Sequence, residues 1–190
     1  MRLKFAVSLA IGLILTFAVQ NITAFSKDYN NLVDNCLRLH IIADSNETGA
    51  QNAKFILRDA LLSEYDFSKF TDKNDAEKFI AENKKKMTAF CNKVTGADCR
   101  INIEKDWFER RRYDGFTLPA GYYNALKISI GKSAGDNWWC VVFPPLCAEI
   151  AGDKSETALT SVQEDIITKP QKYRVKLAFV EWLERLFHGR

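Results

Sequence analysis

Histidine is scarce in this 190-residue chain: there are two, His40 and His188. Five cysteines are present, but no C-x-x-C pair, so the usual Cys/His zinc spacings are missing and no metal is expected. Nor is there an H-E-x-x-H, a G-x-x-x-x-G-K-[ST] or a G-x-G-x-x-G following a strand, and no cofactor is expected. Nine glycines and four prolines are too few for a collagenous or low-complexity protein. With 47% apolar and 27% charged residues, the chain has the composition of one globular domain able to bury its own core.

Acidic residues are missing from the first 24 positions, where Arg2 and Lys4 precede an apolar run from Phe5 to Val19. A basic start followed by such a run is the pattern of a secretory signal. Fifteen helical residues rise about 22 Å, short of a hydrocarbon core of about 30 Å. No clean small-x-small cleavage site follows, so residues 1–24 are read as a signal peptide or a membrane anchor, and residues 25–190 as one exported domain. With Arg2 and Lys4 set aside, the remaining charge is nearly balanced, which disfavours nucleic acid as a partner because that affinity comes largely from phosphate neutralisation.

After a polar connector or short helix from Ser26 to Asn35, Cys36 to Ala43 reads as a strand ending in a turn at Asp44, Ser45 and Asn46. Apolar residues at helical spacing predict helices over Gly49–Tyr65, with Lys54, Arg58, Asp59 and Ser63 largely on its other, solvated face, and about Asn74–Val94, with Lys84, Lys85 and Lys86 on a solvated face. From Ala97 the period changes to two. Ile101 and Ile103, then Tyr123–Ile130 and Trp138–Phe143, predict strands, and their close spacing predicts antiparallel hairpins with Gly131–Gly135 as a turn. Gly152–Lys169 reads as a polar loop. A final helix follows Pro170, with Val175, Phe179, Trp182, Leu183 and Leu186 as its buried stripe. The expected class is α+β, a mostly antiparallel sheet with helices packed on one face, preceded by the N-terminal hydrophobic helix.

Few residues look chemical. His40 and Asp44 lie four apart with Ser45 adjacent, which raises a secreted hydrolase using His40 with Cys140 or a carboxylate. On a strand, His40 shares a face with Arg38, which favours a polar pairing role instead. Arg110, Arg111 and Arg112 read as solvated loop charges. Trp138 and Trp139 must face opposite sides of their strand, leaving one of them for solvent or a partner. Cys140 and Cys147 are the candidate disulfide, because Pro144 and Pro145 turn the chain between them. The odd cysteine count leaves at least one thiol free or paired between chains.

Leu37–Ser45, Lys54 with Leu57–Leu61, Thr117–Leu126, Ile130–Gly131, the Asn137–Cys147 segment and Val180–Leu183 together resemble the stage II sporulation protein R family. Asp44 departs from it, since an Asn is expected there. The resemblance implies an exported signal of endospore formation and not an enzyme. It would be made in the forespore, cross its membrane into the space between the two sporulation membranes, and trigger a membrane-embedded aspartic protease that processes the precursor of sigma factor E. Arg38, His40, Asp44, Ser45, Arg58, Asp59, Trp138 and Trp139 are the candidate contact residues. Their competing role is a hydrogen-bonded network tying the first strand to the first helix.

Overall fold

A computed structural model describes residues 2–146 and 159–188. The chain opens with one long helix, α1 (Arg2–Asn35), so the polar connector after the apolar run is its continuation. The helix is long and apolar enough to cross a membrane, and none of its most apolar stretch is buried. Burial begins further along. Phe25, Tyr29, Leu32 and Val33, at the i, i+4, i+7, i+8 spacing of one helical face, pack into the domain, and Cys36 completes the stripe.

The main sheet contains β1 (Leu37–Ile42), β2 (Cys99–Phe108), β5 (Gly121–Ile130) and β6 (Asn137–Phe143), in the order β2-β5-β1-β6. Two of its three pairings are antiparallel, β2 with β5 and β1 with β6, while β1 and β5 run parallel. The expected hairpin between β5 and β6 is therefore not formed. β1 lies between them, and residues 131–136 cross over its end. A second, two-stranded sheet pairs β3 (Arg111–Arg112) with β4 (Thr117–Leu118), in a stretch where no strands were expected.

Alternation along the strands divides two cores. Leu37, Leu39 and Ile41, Leu126, Ile128 and Ile130, and Cys140 and Val142 face α2 (Thr48–Glu64) and α3 (Lys73–Thr95). Helix α3 begins at an Asp72 cap, whose side chain accepts from the Asp75 N–H, and ends at Gly96 in the left-handed region. The helix-on-sheet packing expected from the sequence is this layer. The opposite face carries helices too: Tyr123, Ala125, Val141 and Phe108 pack against α1, α4 (Ser161–Thr168) and α5 (Arg174–His188). Helix α4 lies inside the expected polar loop, started by a capping box between Thr160 and Gln163.

Of the stripe expected to be buried on the final helix, Leu183 is half-buried and the other four residues face outward. Val175 is 81% exposed, Phe179 41%, Trp182 56% and Leu186 56%, whereas Leu177 and Val180, on the opposite side, enter the core. Helix α5 is thus apolar on two faces, and only one of them is covered.

Candidate functional site

A polar ladder crosses all four strands of the main sheet on the α1/α5 side. Lys127 on β5 bonds Glu104 on β2 at 2.6 Å and reaches Asp106 Oδ2 at 3.4 Å. The same oxygen stands 3.2 Å from His40 Nδ1, and His40 Nε2 lies 2.8 Å from Asn137 Oδ1 on β6. Register sets this arrangement: His40 lies opposite Lys127 on one side and Trp139 on the other. The Glu104 hydrogen bond, aided by the charge of Asp106, raises the Lys127 pKa against an opposing desolvation. The imidazole is 7% exposed, stacks on Trp139 at 5.7 Å and meets Phe108 edge-on at 6.0 Å.

Both His40 nitrogens are therefore engaged, and among the described residues no hydroxyl or thiol bonds to them. The pairing of His40 with Cys140 is ruled out by parity. Cys140 lies in the core under α2 and α3, while His40 projects from the other face of the sheet. The segment Gly131–Gly135 also spells G-x-S-x-G, and Ser133 has a φ of 57°. No helix follows it, and its hydroxyl is held by Arg100 at 3.2 Å, so this is a loop and not a nucleophile elbow.

Two residues before His40, Arg38 is fully buried. Its Nε donates to the Cys140 carbonyl at 2.9 Å and its Nη2 to the Tyr113 hydroxyl at 2.8 Å. The guanidinium lies 4.3 Å from the centre of the Phe108 ring and 5.0 Å from that of Tyr123. Arg111 lies over the Trp139 ring, at 5.1 Å from its centre. Arg38, Trp107, Phe108, Glu109, Arg110, Arg111 and Trp139 wall a cavity of about 120 Å³.

The remaining candidates lie elsewhere. Asp44 Oδ1 accepts from the Lys132 N–H at 2.6 Å, and the Asp44 carbonyl accepts from Ala134 at 3.0 Å. The Ser45 hydroxyl accepts from the Glu47 N–H at 3.3 Å. The neighbouring Asn46 accepts from Asp136, so this turn clasps the loop that crosses β1. An Asn at position 44 offers the same acceptor oxygen, so the departure from the family pattern keeps the contact. Lys54, expected on a solvated face, is buried beneath this loop and donates to the Asp136 carbonyl at 3.0 Å; desolvation lowers its pKa. Arg58, Asp59 and Trp138 form a third group on the α2 side. Arg58 bonds Asp59 at 2.7 Å and lies 4.6 Å over the Trp138 ring. Thus the eight residues make three separate clusters, with Trp138 and Trp139 on opposite faces.

Asp106 and Asn137 complete the ladder, Arg111 the cavity wall, and Tyr113 accepts from Arg38; the sequence reading had not singled them out for those roles. The signal available was parity, since Asn137 shares the face of Trp139 on β6 and Asp106 that of Phe108 on β2. Cys36, Cys91 and Cys99 are free and buried, and burial pushes the Cys36 and Cys91 thiols up to about 12. Cys147, the expected partner of Cys140, lies outside the described residues.

The family model described as stage II sporulation protein R matches residues 33–152. Stage II sporulation protein R of Bacillus subtilis (strain 168) is 30% identical over 184 residues, covering 81% of this chain and 82% of the relative. No solved structure matches.

Proposed function

The chain belongs to the stage II sporulation protein R family, and from that premise we propose that it is an exported signal that activates a membrane-embedded aspartic protease to process the precursor of sigma factor E. In this reading residues 1–24 are the export signal or membrane anchor, and residues 25–190 are the signalling domain. The domain reaches the space between the two sporulation membranes and docks on the extracytoplasmic surface of the protease. To activate the protease it must bind the active state more tightly than the resting one, since only differential affinity shifts an equilibrium.

The observation that carries this reading is the outward apolar stripe of α5. Val175, Phe179, Trp182 and Leu186 remain exposed on a helix whose other face is already packed. Such a stripe, with a tryptophan at its centre, suits a protein contact. The N-terminal helix supports export or anchoring by its length and composition.

The test is co-expression of the full chain with the candidate protease and the sigma-factor precursor in a non-sporulating bacterium, following the precursor's size. Processing that requires all three components is the expected result. If the chain is exported and folded but the precursor keeps its length, direct activation is wrong. His40→Gln separates this reading from the hydrolase: processing survives it, in proportion to the folded protein, if the chain is a docking signal, and is lost in a folded variant if the imidazole acts with a carboxylate as the catalytic base.

A further inference from the structure

Arg38 is a buried cation without a matching anion. It is fully buried, and among the described residues no carboxylate lies within ion-pair distance of it. Two of its nitrogens are bonded, to the Cys140 carbonyl and the Tyr113 hydroxyl, while Nη1 has no hydrogen-bond partner among the described residues. The faces of Phe108, Tyr123 and Tyr113 temper the charge but accept no conventional hydrogen bond from it. Buried charges are ordinarily paired, and a buried donor is ordinarily satisfied.

Arg38 also walls the cavity of about 120 Å³ described above. The other charges of that wall do not supply the missing anion. Glu109 is taken by Arg185, with contacts of 2.9 and 3.1 Å. Arg110 is held by both oxygens of Glu181, at 3.1 and 2.6 Å. Arg111 has no acidic partner among the described residues and lies over the Trp139 ring. What remains uncompensated in the cavity wall is Arg38 and Arg111, both positive.

We propose that this cavity is a carboxylate-binding site, taking an acid on a short apolar stem. Nη1 has almost no accessible surface in the unliganded chain, so the carboxylate pairs with it as the aromatic wall gives way; Arg111 draws the acid in, and Trp107, Phe108 and Trp139 receive the stem. The volume admits several water-sized groups, enough for a carboxylate with two or three carbons. A phosphate is a poorer match. A dianion calls for more donors than one free guanidinium nitrogen, and the aromatic wall leaves its other oxygens unsolvated. For the source of the acid alone, an Asp or Glu side chain of a docked protein, the inference rests on the proposed function. A free small acid has the same chemistry.

The experiment uses the full chain in detergent micelles and follows the fluorescence contributed by Trp107 and Trp139. Propionate is titrated against the isosteric propionamide, and acetyl-Phe-Asp-amide against acetyl-Phe-Asn-amide. Saturable binding of an acid, on the order of 1 mM for so small a ligand, with the matching amide inert, is the expected result. Binding by the peptide acid alone assigns the site to a protein side chain, and equal binding by propionate assigns it to a free acid. Arg38→Lys weakens binding about tenfold or more, because the ammonium cannot keep the fork geometry. Since that variant touches the core, Arg111→Glu is the second, placed on an exposed residue. It abolishes binding with the thermal midpoint and far-ultraviolet spectrum unchanged. No saturable binding by either acid, amides that bind equally well, or binding indifferent to Arg111→Glu overturns the proposal. Precursor processing is scored separately. If Arg111→Glu abolishes acid binding while processing continues, the site stands and is not the contact with the protease.

Discussion

His40 and Trp139 stand opposite one another on adjacent strands, their rings 5.7 Å apart and inclined by 27°. The stack closes one side of the imidazole, and Asp106 and Asn137 hold its two nitrogens. A ring so enclosed positions strands and is poorly placed to act as a base. His40→Ala is expected to cost about 1–3 kcal/mol in urea unfolding, the range for leaving buried polar partners unpaired. Precursor processing should then fall only as far as the folded fraction does. A variant of unchanged stability that has lost all processing would show that His40 acts directly.

Asp44 and Gly131 form a second matched pair. Gly131 has a φ of 52°, and a Cβ there would collide with the Asp44 carboxylate that binds the Lys132 N–H. Gly135 likewise passes close to the Ser45 carbonyl. Asp44→Ala removes one hydrogen bond and is expected to cost about 1 kcal/mol. Asp44→Asn keeps the acceptor and should be nearly silent. Gly131→Ala adds backbone strain to the collision, costing about 1–3 kcal/mol or more. Thermal unfolding of the three variants should show the smallest loss for Asp44→Asn, a larger one for Asp44→Ala and the largest for Gly131→Ala, and an Asn variant as damaged as the Ala variant would show that charge matters here, not the acceptor.

Much of this arrangement was legible in the sequence, and the misses share a cause. Parity placed Arg38 with His40 and separated Trp138 from Trp139, because alternation along a strand is a local property. Strand order is not local. The short spacing between β5 and β6 suggests a hairpin, yet β1, from nearly a hundred residues earlier, occupies the space between them. The partners of His40 come from β2 and β6 and are fixed only by that register. Periodicity marked α5 as amphipathic but could not tell which of two apolar sides meets the core, since Val175 and Leu177 each begin a plausible stripe. Lys54 was misread for a related reason: a helical wheel assigns it a face without knowing that the crossing loop covers that face.

The two sides of α5 predict opposite phenotypes. Leu177 and Val180 are almost fully buried, and Leu177→Ala is expected to cost about 2–5 kcal/mol through the cavity it leaves. Phe179→Ala and Trp182→Ala, on the exposed side, should change stability by less than about 0.5 kcal/mol. If the stripe is the docking contact, those two variants lose processing while remaining folded. Equal losses of stability on both sides, read by urea midpoints, would mean the outer face is covered by another part of the protein in solution.

The cysteines link export to stability. Cys36, Cys91 and Cys99 are buried, so in the native protein none of them should react with a thiol reagent. Unfolding without reductant should expose three thiols if Cys140 and Cys147 are paired and five if they are not. The same burial sets a pH dependence. An unfolded thiol titrates near 8.5, whereas the folded Cys36 and Cys91 keep their protons up to about 12. Between those values the unfolded chain has lost protons that the native chain retains, so stability must fall as pH rises, by at most about 1.4 kcal/mol per pH unit for each thiol. Below pH 8 both states are protonated and these groups contribute no slope. Urea midpoints measured from pH 7 to pH 11 should therefore decline above about pH 9, and Cys36→Ala should decline less steeply than the parent even though its starting stability is lower.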